Sequence, residues 1–445
     1  MKSKAVVFVD VDESEFPCYS YREPHFKIAQ ELGLTCVTIA KSNRGFLSRL
    51  NRYSDRVVFL KELSEKNLAD AVQELSSELA VLALFCYAGH AGPDGQIGVT
   101  VAKACQKLGL NYSSPDAISA CNDKYLMREM LRDSGVPSVS YALCHTEKEI
   151  TEGAIRIGYP LVAKPRFGAR SAFIKKCSNE QELLSHYRYY QSHFCRTLSK
   201  NSFGHCEGEG DVRNTPGATL LLEEWIEGVE GSVECVMTNS QIFPLIINEK
   251  LLLTNRVGTI LEDLLISPPS SFSPTQQQAI RNYAKKCISA LMLDSAIAHL
   301  EFKMTNRGPI VIEINPRLGG LYVSSAFIDI SGVDPWKIYL DILLGSPTIE
   351  TQLSLAMNKA TKNIAHYSMI ALYPDRSGLY KGIESTQHLE CNPKILEFEL
   401  LPSGVQVNAE AEENYLLKCW ARVEGSDDAQ LLYQEVSKNT KPILE

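Results

Sequence analysis

Several features that would direct the interpretation of this 445-residue chain are missing. It has no long hydrophobic run, and its longest, LAVLALFCYA at 79–88, is about half of what a membrane helix needs. The N-terminal apolar stretch is interrupted by Asp10 after five residues, which favours a first strand over a signal peptide. We therefore expect no membrane partner.

An excess of positive charge is also missing. The net charge is -8 and the pI is near 5.7, which argues against a nucleic-acid surface as the main partner. None of the 13 cysteines belongs to a CxxC pair, and scattered thiols indicate a reducing, cytoplasmic compartment. A possible zinc site lacks zinc-finger spacing, so ordinary thiols are the favoured interpretation for the group His193, Cys195, His205 and Cys206.

The first 114 residues alternate apolar strands with helical patterns. The strand-like runs are AVVFVDV, CVTIA, RVVFL and AVLALFCYA. Such alternation predicts a parallel sheet covered on both faces. No GxGxxG follows the first strand, so we assign no dinucleotide to this sheet. The loop GHAGPDGQIG at 89–98 follows a strand, where open sheets bind ligands, although its composition equally fits a simple turn.

Different patterns follow from about residue 115. SSPDAISACNDKYLMREMLRDSGVP predicts one capped helix, and YPLVAKPRFGARSAFIKK predicts a strand, a glycine turn and a second strand. Residues 185–217 have little periodicity and predict a helix end followed by a mobile surface loop. The last hundred residues predict short strands, turns and a final helix. An amphipathic helix is predicted by one apolar face made of Ile280, Tyr283, Ala284, Cys287, Ile288 and Leu291.

The stretch AIAHLEFKMTNRGPIVIEINPRLGG predicts a hairpin with a polar face. Because strand side chains alternate, Glu301 shares a face with His299 and Lys303, and Glu313 shares one with Asn315. Two carboxylates and an amide oxygen suit Mg²⁺, and the carboxylates would repel each other without a cation. A solvent-facing strand pair with ordinary acids explains the hairpin alone equally well. Gly319 and Gly320 would let the backbone pass close to a substrate.

Basic residues shift the balance towards a polyphosphate site. Lys164 lies within the strand LVAKP, where an unpaired ammonium is costly, and Lys124 begins the segment KYLMRE. Lysines that face a divalent metal provide the charge that a polyphosphate needs. The turn RFGARSA offers backbone N–H groups and the Ser171 hydroxyl to phosphate oxygens. Each lysine alone is typical of a surface residue. It is the order of the elements that favours a polyphosphate site.

From about Ser114 to Gly345, the order of these motifs resembles the ATP-grasp superfamily of carboxylate–amine ligases. The resemblance implies an α/β (α+β) class with the ATP-grasp fold. It implies an N-terminal Rossmann-like parallel-sheet domain at 1–114 and an ATP-grasp region at 115–345, with a small lid at about 150–225. Residues 346–445 are expected to form a C-terminal α+β lobe that completes the substrate domain.

The resemblance also implies a role for each site residue, with ATP and Mg²⁺ (or Mn²⁺) as cofactors. It implies that Arg317 stabilises the reacting phosphoryl or acyl group and acts together with Glu313 and Asn315. The phosphate contacts are expected from Lys124, Lys164 and Ser171. The metal ligands are expected to be Glu301, Glu313 and Asn315. The adenine and ribose contacts are expected from Glu223 (adenine amino group), Trp225 and Ile226 (backbone contacts to the ring) and Glu230 (ribose hydroxyls).

Two departures from the family pattern are visible. Arg170 and Phe173 stand where the lid often has glycine, so either the lid is stiffer or Arg170 itself contacts phosphate. The segment 185–217 is longer than the resemblance leads us to expect.

Within the superfamily, HLEFK, NPRLGG and NEKLLLTNRVGTILEDLLISPP are most similar to the L-amino-acid ligases. The implied reaction activates a carboxylate with ATP to an acyl phosphate, which an amine converts to an amide. The resemblance also implies small-molecule substrates and a homodimer. One alternative is a carboxylase-type enzyme that activates bicarbonate, although no biotin-carrier MKM motif is present. Another is a nucleotide-binding regulatory protein without catalysis. No motif identifies the acid or the amine.

Overall fold

The computed structural model describes eight stretches of the chain: 2–10, 23–41, 52–86, 96–167, 173–197, 219–256, 259–409 and 415–445. Within these stretches, no helix has both the length and the apolar character that a membrane crossing requires.

The N-terminal region forms the predicted parallel sheet. Its strand order is β3-β2-β1-β4, and all neighbouring strands run parallel. Val6 and Phe8 of β1 face one apolar core, and Val7 and Val9 face another. Residues 89–95 of the candidate ligand loop 89–98 lie outside the described residues. The elements are β1 Lys4–Asp10, α1 Glu23–Glu31, β2 Thr35–Lys41, β3 Arg56–Leu60, α2 Glu65–Leu75, β4 Ala80–Phe85 and α3 Gln96–Leu108.

The prediction of one helix around residue 120 was wrong. The structure has α4 at Pro115–Asn122 and α5 at Lys124–Asp133. Between them, Asp123 has an extended backbone, and its carboxylate accepts hydrogen bonds from the N–H groups of Tyr125 and Leu126. This N-cap starts a new helix and makes Lys124 its first residue.

The region where a lid was expected contains a small antiparallel sheet of order β5-β8-β6-β7, covered by two helices, which we call the lid sheet. The two predicted strands are confirmed, since β6 pairs with β7, whereas residues 168–172 of the predicted turn lie outside the described residues. The irregular segment 185–217 begins as the second of these helices, and its remainder from 198 lies outside the described residues. The elements are β5 Tyr141–Cys144, α6 Glu147–Ile157, β6 Leu161–Pro165, β7 Lys175–Cys177, α7 Glu180–Thr197 and β8 Leu220–Glu224.

A large antiparallel sheet carries the predicted hairpin β12–β13 at one edge. Its order is β13-β12-β9-β10-β11-β14-β18-β16, so strands from the C-terminal region continue the central sheet. The strands are β9 Val229–Thr238, β10 Gln241–Arg256, β11 Thr259–Ser267, β12 Ala296–Thr305, β13 Gly308–Asn315, β14 His366–Leu372, β16 Ile395–Leu400 and β18 Leu417–Val423. A separate small sheet contains β15 Gly378–Ile383, β17 Gln406–Val407 and β19 Pro442–Leu444.

Helices pack on both faces of the large sheet. The predicted apolar face of α8 is confirmed, because its residues are buried against β9, β12 and β13. The helix α11 was missed, although Ile349, Leu353, Ala356 and Ala360 recur at helical spacing and pack into the core on the other face. The helices are α8 Pro274–Ala290, α9 Val323–Ala326 (followed by a π-helical turn, Phe327–Ser331), α10 Pro335–Leu343, α11 Ile349–Lys362, α12 Gln387–Glu390 and α13 Ser426–Asn439.

Candidate active site

The polar faces of the hairpin coincide. In the register of β12 and β13, Glu301 lies opposite Glu313 and His299 lies opposite Asn315. The Asn315 amide donates from Nδ2 to Oε1 of Glu313 at 2.8 Å. The structure therefore brings the three predicted metal ligands, Glu301, Glu313 and Asn315, to the same end of two neighbouring strands.

Both predicted phosphate lysines lie close to this end. The Nζ of Lys124 is 3.4 Å from Oε2 of Glu313. Burial raises the pKa of Glu313 and repulsion from Glu301 adds to this, but Lys124, helped by Lys164, brings the pKa below its ordinary value. Glu313 therefore remains an anion at neutral pH, as a metal ligand must.

Glu223 pairs with two buried cations. Arg128, wholly buried on α5, donates from Nε and Nη2 to the two carboxylate oxygens of Glu223 at 2.8 and 3.1 Å, and Lys164 Nζ lies 2.7 Å from Oε2. Arg128 also donates to the carbonyls of Val311 and Ile312 in β13 at 2.9 and 2.8 Å. Burial raises the pKa of Glu223, but Arg128 and Lys164 outweigh it and lower that pKa to about 2.

We call Lys124, Arg128, Lys164 and Glu223 the cationic cluster. It joins α5, the lid sheet and the hairpin. Sequence reasoning missed Arg128, although it occupies the buried face of α5 together with Met127 and Leu131. A charged residue on an apolar helix face was the signal, since such a residue needs a buried partner.

A second set of charges surrounds Lys250, which sequence reasoning did not single out. Its Nζ lies 2.7 Å from Glu230, 2.5 Å from Glu262 and 2.8 Å from Glu301. Burial lowers the pKa of Lys250, but the three carboxylates raise it well above its ordinary value. We call these four residues the carboxylate cluster. Lys250 thereby connects the predicted ribose residue Glu230 with the predicted metal ligand Glu301.

His299 lies between two carboxylates. Its Nδ1 is 2.5 Å from Oε1 of the buried Glu234, and its Nε2 is 3.4 Å from Oε1 of Glu301. Burial lowers the pKa of His299, but Glu234 and Glu301 outweigh it and raise that pKa to about 10. Both ring nitrogens of His299 thus face carboxylate oxygens.

The glycines that follow Arg317 have different surroundings. A Cβ on Gly319 would lie 2.6 Å from Nδ1 of His299 and 3.0 Å from Oε1 of Glu234, whereas Gly320 has open space. The close approach at Gly319 is thus to the protein's own His299 and Glu234, where a substrate was expected.

The hinge places the Trp225 indole between charged side chains. Lys176 of the lid and Lys303 of β12 lie 4.2 and 4.4 Å from the ring centroid, within cation–π range. The indole Nε1 donates to Glu227 at 2.5 Å, and the neighbouring Ile226 is half-buried. The side chain of Trp225 therefore connects the lid with the large sheet.

Arg317 follows the end of β13 in a tight turn. Its N–H donates to the carbonyl of Asn315 at 2.8 Å, and its Nη1 donates to the carbonyl of Leu318 at 2.9 Å. Across the described stretches, no carboxylate forms an ion pair with Arg317. Its guanidinium therefore remains available to an anionic ligand.

Several predicted residues lie outside the described residues. These are Ser171 and Arg170 of the lid turn, and His205 and Cys206 of the zinc candidate, whose His193 and Cys195 side chains are also not described. Phe173, at the end of the turn, is described. It has a left-handed backbone (φ 58°), which fits its alignment with a glycine position.

The donor set fits a divalent metal that is shared with a ligand. Within the described stretches, no group of three or more histidine, cysteine or acidic side chains forms a ready metal site. Glu301, Glu313 and Asn315 supply two carboxylates and an amide oxygen, and phosphate oxygens would complete the shell that Mg²⁺ prefers. The residues present thus fit a metal that binds together with a nucleotide.

A cavity of about 720 Å³ lies elsewhere, between α8, α11 and the loop before α13. In its wall, Arg281 donates from Nη1 to the carbonyls of Pro244 and Leu245, where the register of β9 and β10 shifts. Arg281 thus satisfies carbonyls at a bulge. The lining of this cavity shares no residue with the two charged clusters.

Comparisons with known proteins agree with this geometry. Residues 157–325 match the ATP-grasp domain family. Carnosine synthase 1 of Homo sapiens is 27% identical over 247 residues, which cover 53% of this chain and 28% of that protein. Alanine–anticapsin ligase of Bacillus subtilis is 26% identical over 261 residues, which cover 55% of this chain and 51% of that ligase. The chain thus matches less than two thirds of either relative.

Two solved structures extend the likeness to the whole chain. The L-amino acid ligase of Bacillus licheniformis matches with a TM-score of 0.75 and 17% identity, covering 100% of both chains. A biotin carboxylase of Campylobacter jejuni matches with a TM-score of 0.66 and 14% identity, covering 99% of this chain and 92% of that one. At these identities the likeness concerns the fold alone. Residues 157–325 are thus similar to the ATP-grasp domain, and the chain as a whole shares the fold of these two solved structures.

Proposed function

We propose that the protein is an ATP-dependent ligase that joins the carboxylate of one amino acid to the amine of a second amino acid. The observation that carries this proposal is the meeting of Lys124, Glu301 and Glu313 at the end of the β12–β13 hairpin. This is a place for a phosphate chain and a metal together. The matches to alanine–anticapsin ligase and to L-amino acid ligase support the choice of amino acids.

The proposed ligation has two steps, and the charged side chains of the site serve both. The carboxylate oxygen of the first amino acid attacks the γ-phosphorus of ATP, and ADP leaves. The amine of the second amino acid then attacks the acyl carbon of the acyl phosphate, phosphate leaves, and the amine loses a proton. Lys124 and Lys164 balance the charge of the phosphates while Arg317 stabilises the oxyanion that forms at the acyl carbon.

Glu301, Glu313 and Asn315 would hold Mg²⁺ or Mn²⁺. A bound divalent cation supplies charge neutralisation along the phosphates and orients them for in-line attack. Glu230 would bind the ribose hydroxyls. The adenine site would be formed by the hinge at Glu223, Trp225 and Ile226. Since the Glu223 carboxylate is already paired with Arg128 and Lys164, its contact to the adenine amino group is best made through the backbone.

The remaining parts of the proposal concern the chain as a whole. We divide it into an N-terminal domain at 1–114, an ATP-grasp region at 115–345 with a lid at about 150–225, and residues 346–445, which complete the central sheet. We further propose a homodimer that acts on small molecules in the cytoplasm, with no nucleic-acid or membrane partner. The ten described cysteines are free thiols, which suits a reducing compartment.

A screen of phosphate release tests the function directly. All pairs of the twenty amino acids are offered with ATP and Mg²⁺, alongside bicarbonate alone and each amino acid alone. The proposal predicts release that requires two amino acids. Release that requires only bicarbonate would favour the carboxylase alternative, which the fold of biotin carboxylase supports. ATP binding without release in any mixture would favour a regulatory protein.

A further inference from the structure

We infer that His299 is a positioning residue, which the buried Glu234 holds in place so that it orients the metal carboxylate Glu301. The same Glu234 fixes the loop that follows Arg317. This inference rests on the proposed function, because it concerns the metal site of that reaction. It adds a layer of residues beneath the ligands that the sequence motifs did not indicate.

Glu234 needs the histidine. Its side chain is wholly buried in β9, and among the described residues no lysine or arginine pairs with it. A buried carboxylate without hydrogen-bond partners is costly, and the His299 ring lies within hydrogen-bond distance of it. Nδ1 of His299 and Oε1 of Glu234 are 2.5 Å apart.

This pairing determines where the other ring nitrogen points. His299 and Glu301 are two residues apart in β12, so they share a face. With Nδ1 of His299 close to Glu234, Nε2 of the same ring lies 3.4 Å from Oε1 of Glu301. Nζ of Lys250 lies 2.8 Å from the other oxygen, Oε2. Each oxygen of Glu301 thus has its own nitrogen neighbour, which limits rotation of the carboxylate.

Gly319, in the loop that follows Arg317, contacts the His299–Glu234 pair. Its N–H donates to Oε2 of Glu234 at 3.1 Å, and a Cβ there would lie 2.6 Å from the imidazole Nδ1 of His299. The loop that carries Arg317 therefore packs directly on the His299–Glu234 pair. A shift of the ring would disturb both the metal carboxylate and this loop.

Two substitutions of His299 distinguish a residue that orients Glu301 from a residue that only stabilises the fold. In His299→Asn, the amide can replace Nδ1 as the donor to Glu234, but it is too short to reach Glu301. In His299→Gln, the amide can reach the place of Nε2, but it leaves Glu234 without the donor at the place of Nδ1. We expect His299→Asn to keep the thermal midpoint better and His299→Gln to keep the metal site better.

The readout is Mn²⁺ affinity in the presence of ADP, measured by electron paramagnetic resonance, with ADP affinity in EDTA as a second measurement. Loss of a partner that orients a metal ligand typically weakens metal binding by about 10–100-fold. We expect a loss of this size in His299→Asn, a smaller loss in His299→Gln, and unchanged ADP affinity without metal. His366→Asn is the matched control, because His366 lies in the same sheet and its ring hydrogen-bonds only to the carbonyl of Pro268 among the described residues.

An Mn²⁺ affinity of His299→Asn equal to that of wild type would overturn the inference. If His299→Asn does not fold, Glu234→Gln takes its place. Its single amide oxygen cannot accept from both Nδ1 of His299 and the Gly319 N–H, so it should weaken Mn²⁺ binding in the same direction, and an unchanged affinity there would be equally decisive. These measurements need no amino-acid substrate. A wild type that binds Mn²⁺ with ADP but forms no amide would therefore contradict the proposed function and leave the positioning result standing.

Discussion

Two clusters of buried and half-buried charges flank the β12–β13 hairpin, and they carry opposite excess charge. In the cationic cluster, Lys124, Arg128 and Lys164 accompany one carboxylate, Glu223. In the carboxylate cluster, one lysine accompanies three carboxylates. Glu313 lies between them, 3.4 Å from Lys124 and opposite Glu301.

The difference shows how one cleft can hold groups of both signs. An excess of cations attracts the phosphates, and an excess of carboxylates attracts a metal or a substrate ammonium. Each cluster also has one ion of the minority sign, Glu223 or Lys250, which keeps the majority charges from repelling one another before ligands bind. Glu313→Gln removes the carboxylate between the clusters, Arg317→Ala leaves both clusters intact, and Glu223→Gln and Lys250→Met remove the minority ion from each.

The largest effect on activity is expected from a change at Glu313, which lies between the two clusters. Glu313→Gln removes a carboxylate that both clusters need, and ADP formation with Mg²⁺ should fall by at least about 10²-fold while the protein stays folded. A coupled assay for ADP measures this, and circular dichroism checks the fold. The matched control is Glu399→Gln on β16, where Glu399 pairs with Lys418 far along the sheet. Full activity of Glu313→Gln would contradict the metal assignment.

Arg317→Ala should act on the chemical step alone. Because Arg317 has no carboxylate partner in the described stretches, its loss should leave ATP affinity unchanged and lower kcat by about 10²–10³-fold. Steady-state kinetics and calorimetric titration of ATP measure the two quantities. Arg422→Ala, at an exposed position of β18, is the control. Weaker ATP binding with normal turnover at saturation would show that Arg317 has another role.

Removing Glu223 should destabilise the protein in a pH-dependent way. At neutral pH, Glu223→Gln leaves Arg128 and Lys164 without their anion and should cost about 3–5 kcal/mol of unfolding free energy. The pKa of Glu223 falls from 4.5 to about 2 on folding, so its contribution is present above pH 4.5 and is lost as the pH falls towards 2. Wild type and variant should therefore converge in acid.

Denaturant titrations from pH 7 to pH 3 measure this convergence. Glu147→Gln is the control, because Glu147 forms an exposed ion pair with Arg188 and should matter little. A constant difference in unfolding free energy between wild type and Glu223→Gln at every pH would show that folding does not lower the pKa of Glu223.

Removing Lys250 should turn the carboxylate cluster into a metal site. In Lys250→Met, three carboxylates lose their shared cation, so Mn²⁺ should bind without nucleotide at least about tenfold more tightly than in wild type. Lys303→Met is the control, since Lys303 approaches only Glu230 of this cluster, at 3.7 Å. Equal Mn²⁺ affinity in wild type and Lys250→Met would mean that the three carboxylates do not act together.

The sequence predicted the parts of the site that depend on local periodicity. Strand alternation was enough to put His299 and Glu301 on one face, and the cost of an unpaired lysine marked Lys164. The ion partners were not predictable in this way. Glu223 and Arg128 are 95 residues apart, and Glu234 and His299 are 65 apart, so only the pairing of distant strands and helices brings them together. The break at Asp123 was missed because a cap competed successfully with helix continuation.

The central claim is that a substrate carboxylate attacks the γ-phosphate of ATP. The most direct measurement uses an amino acid labelled with oxygen-18 in its carboxylate, in a pair that the screen has identified. Mass spectrometry of the released phosphate should find one labelled oxygen per phosphate, because the carboxylate oxygen that attacks phosphorus leaves with it when the amide forms. Phosphate that carries no label, formed together with amide, would contradict the acyl-phosphate route.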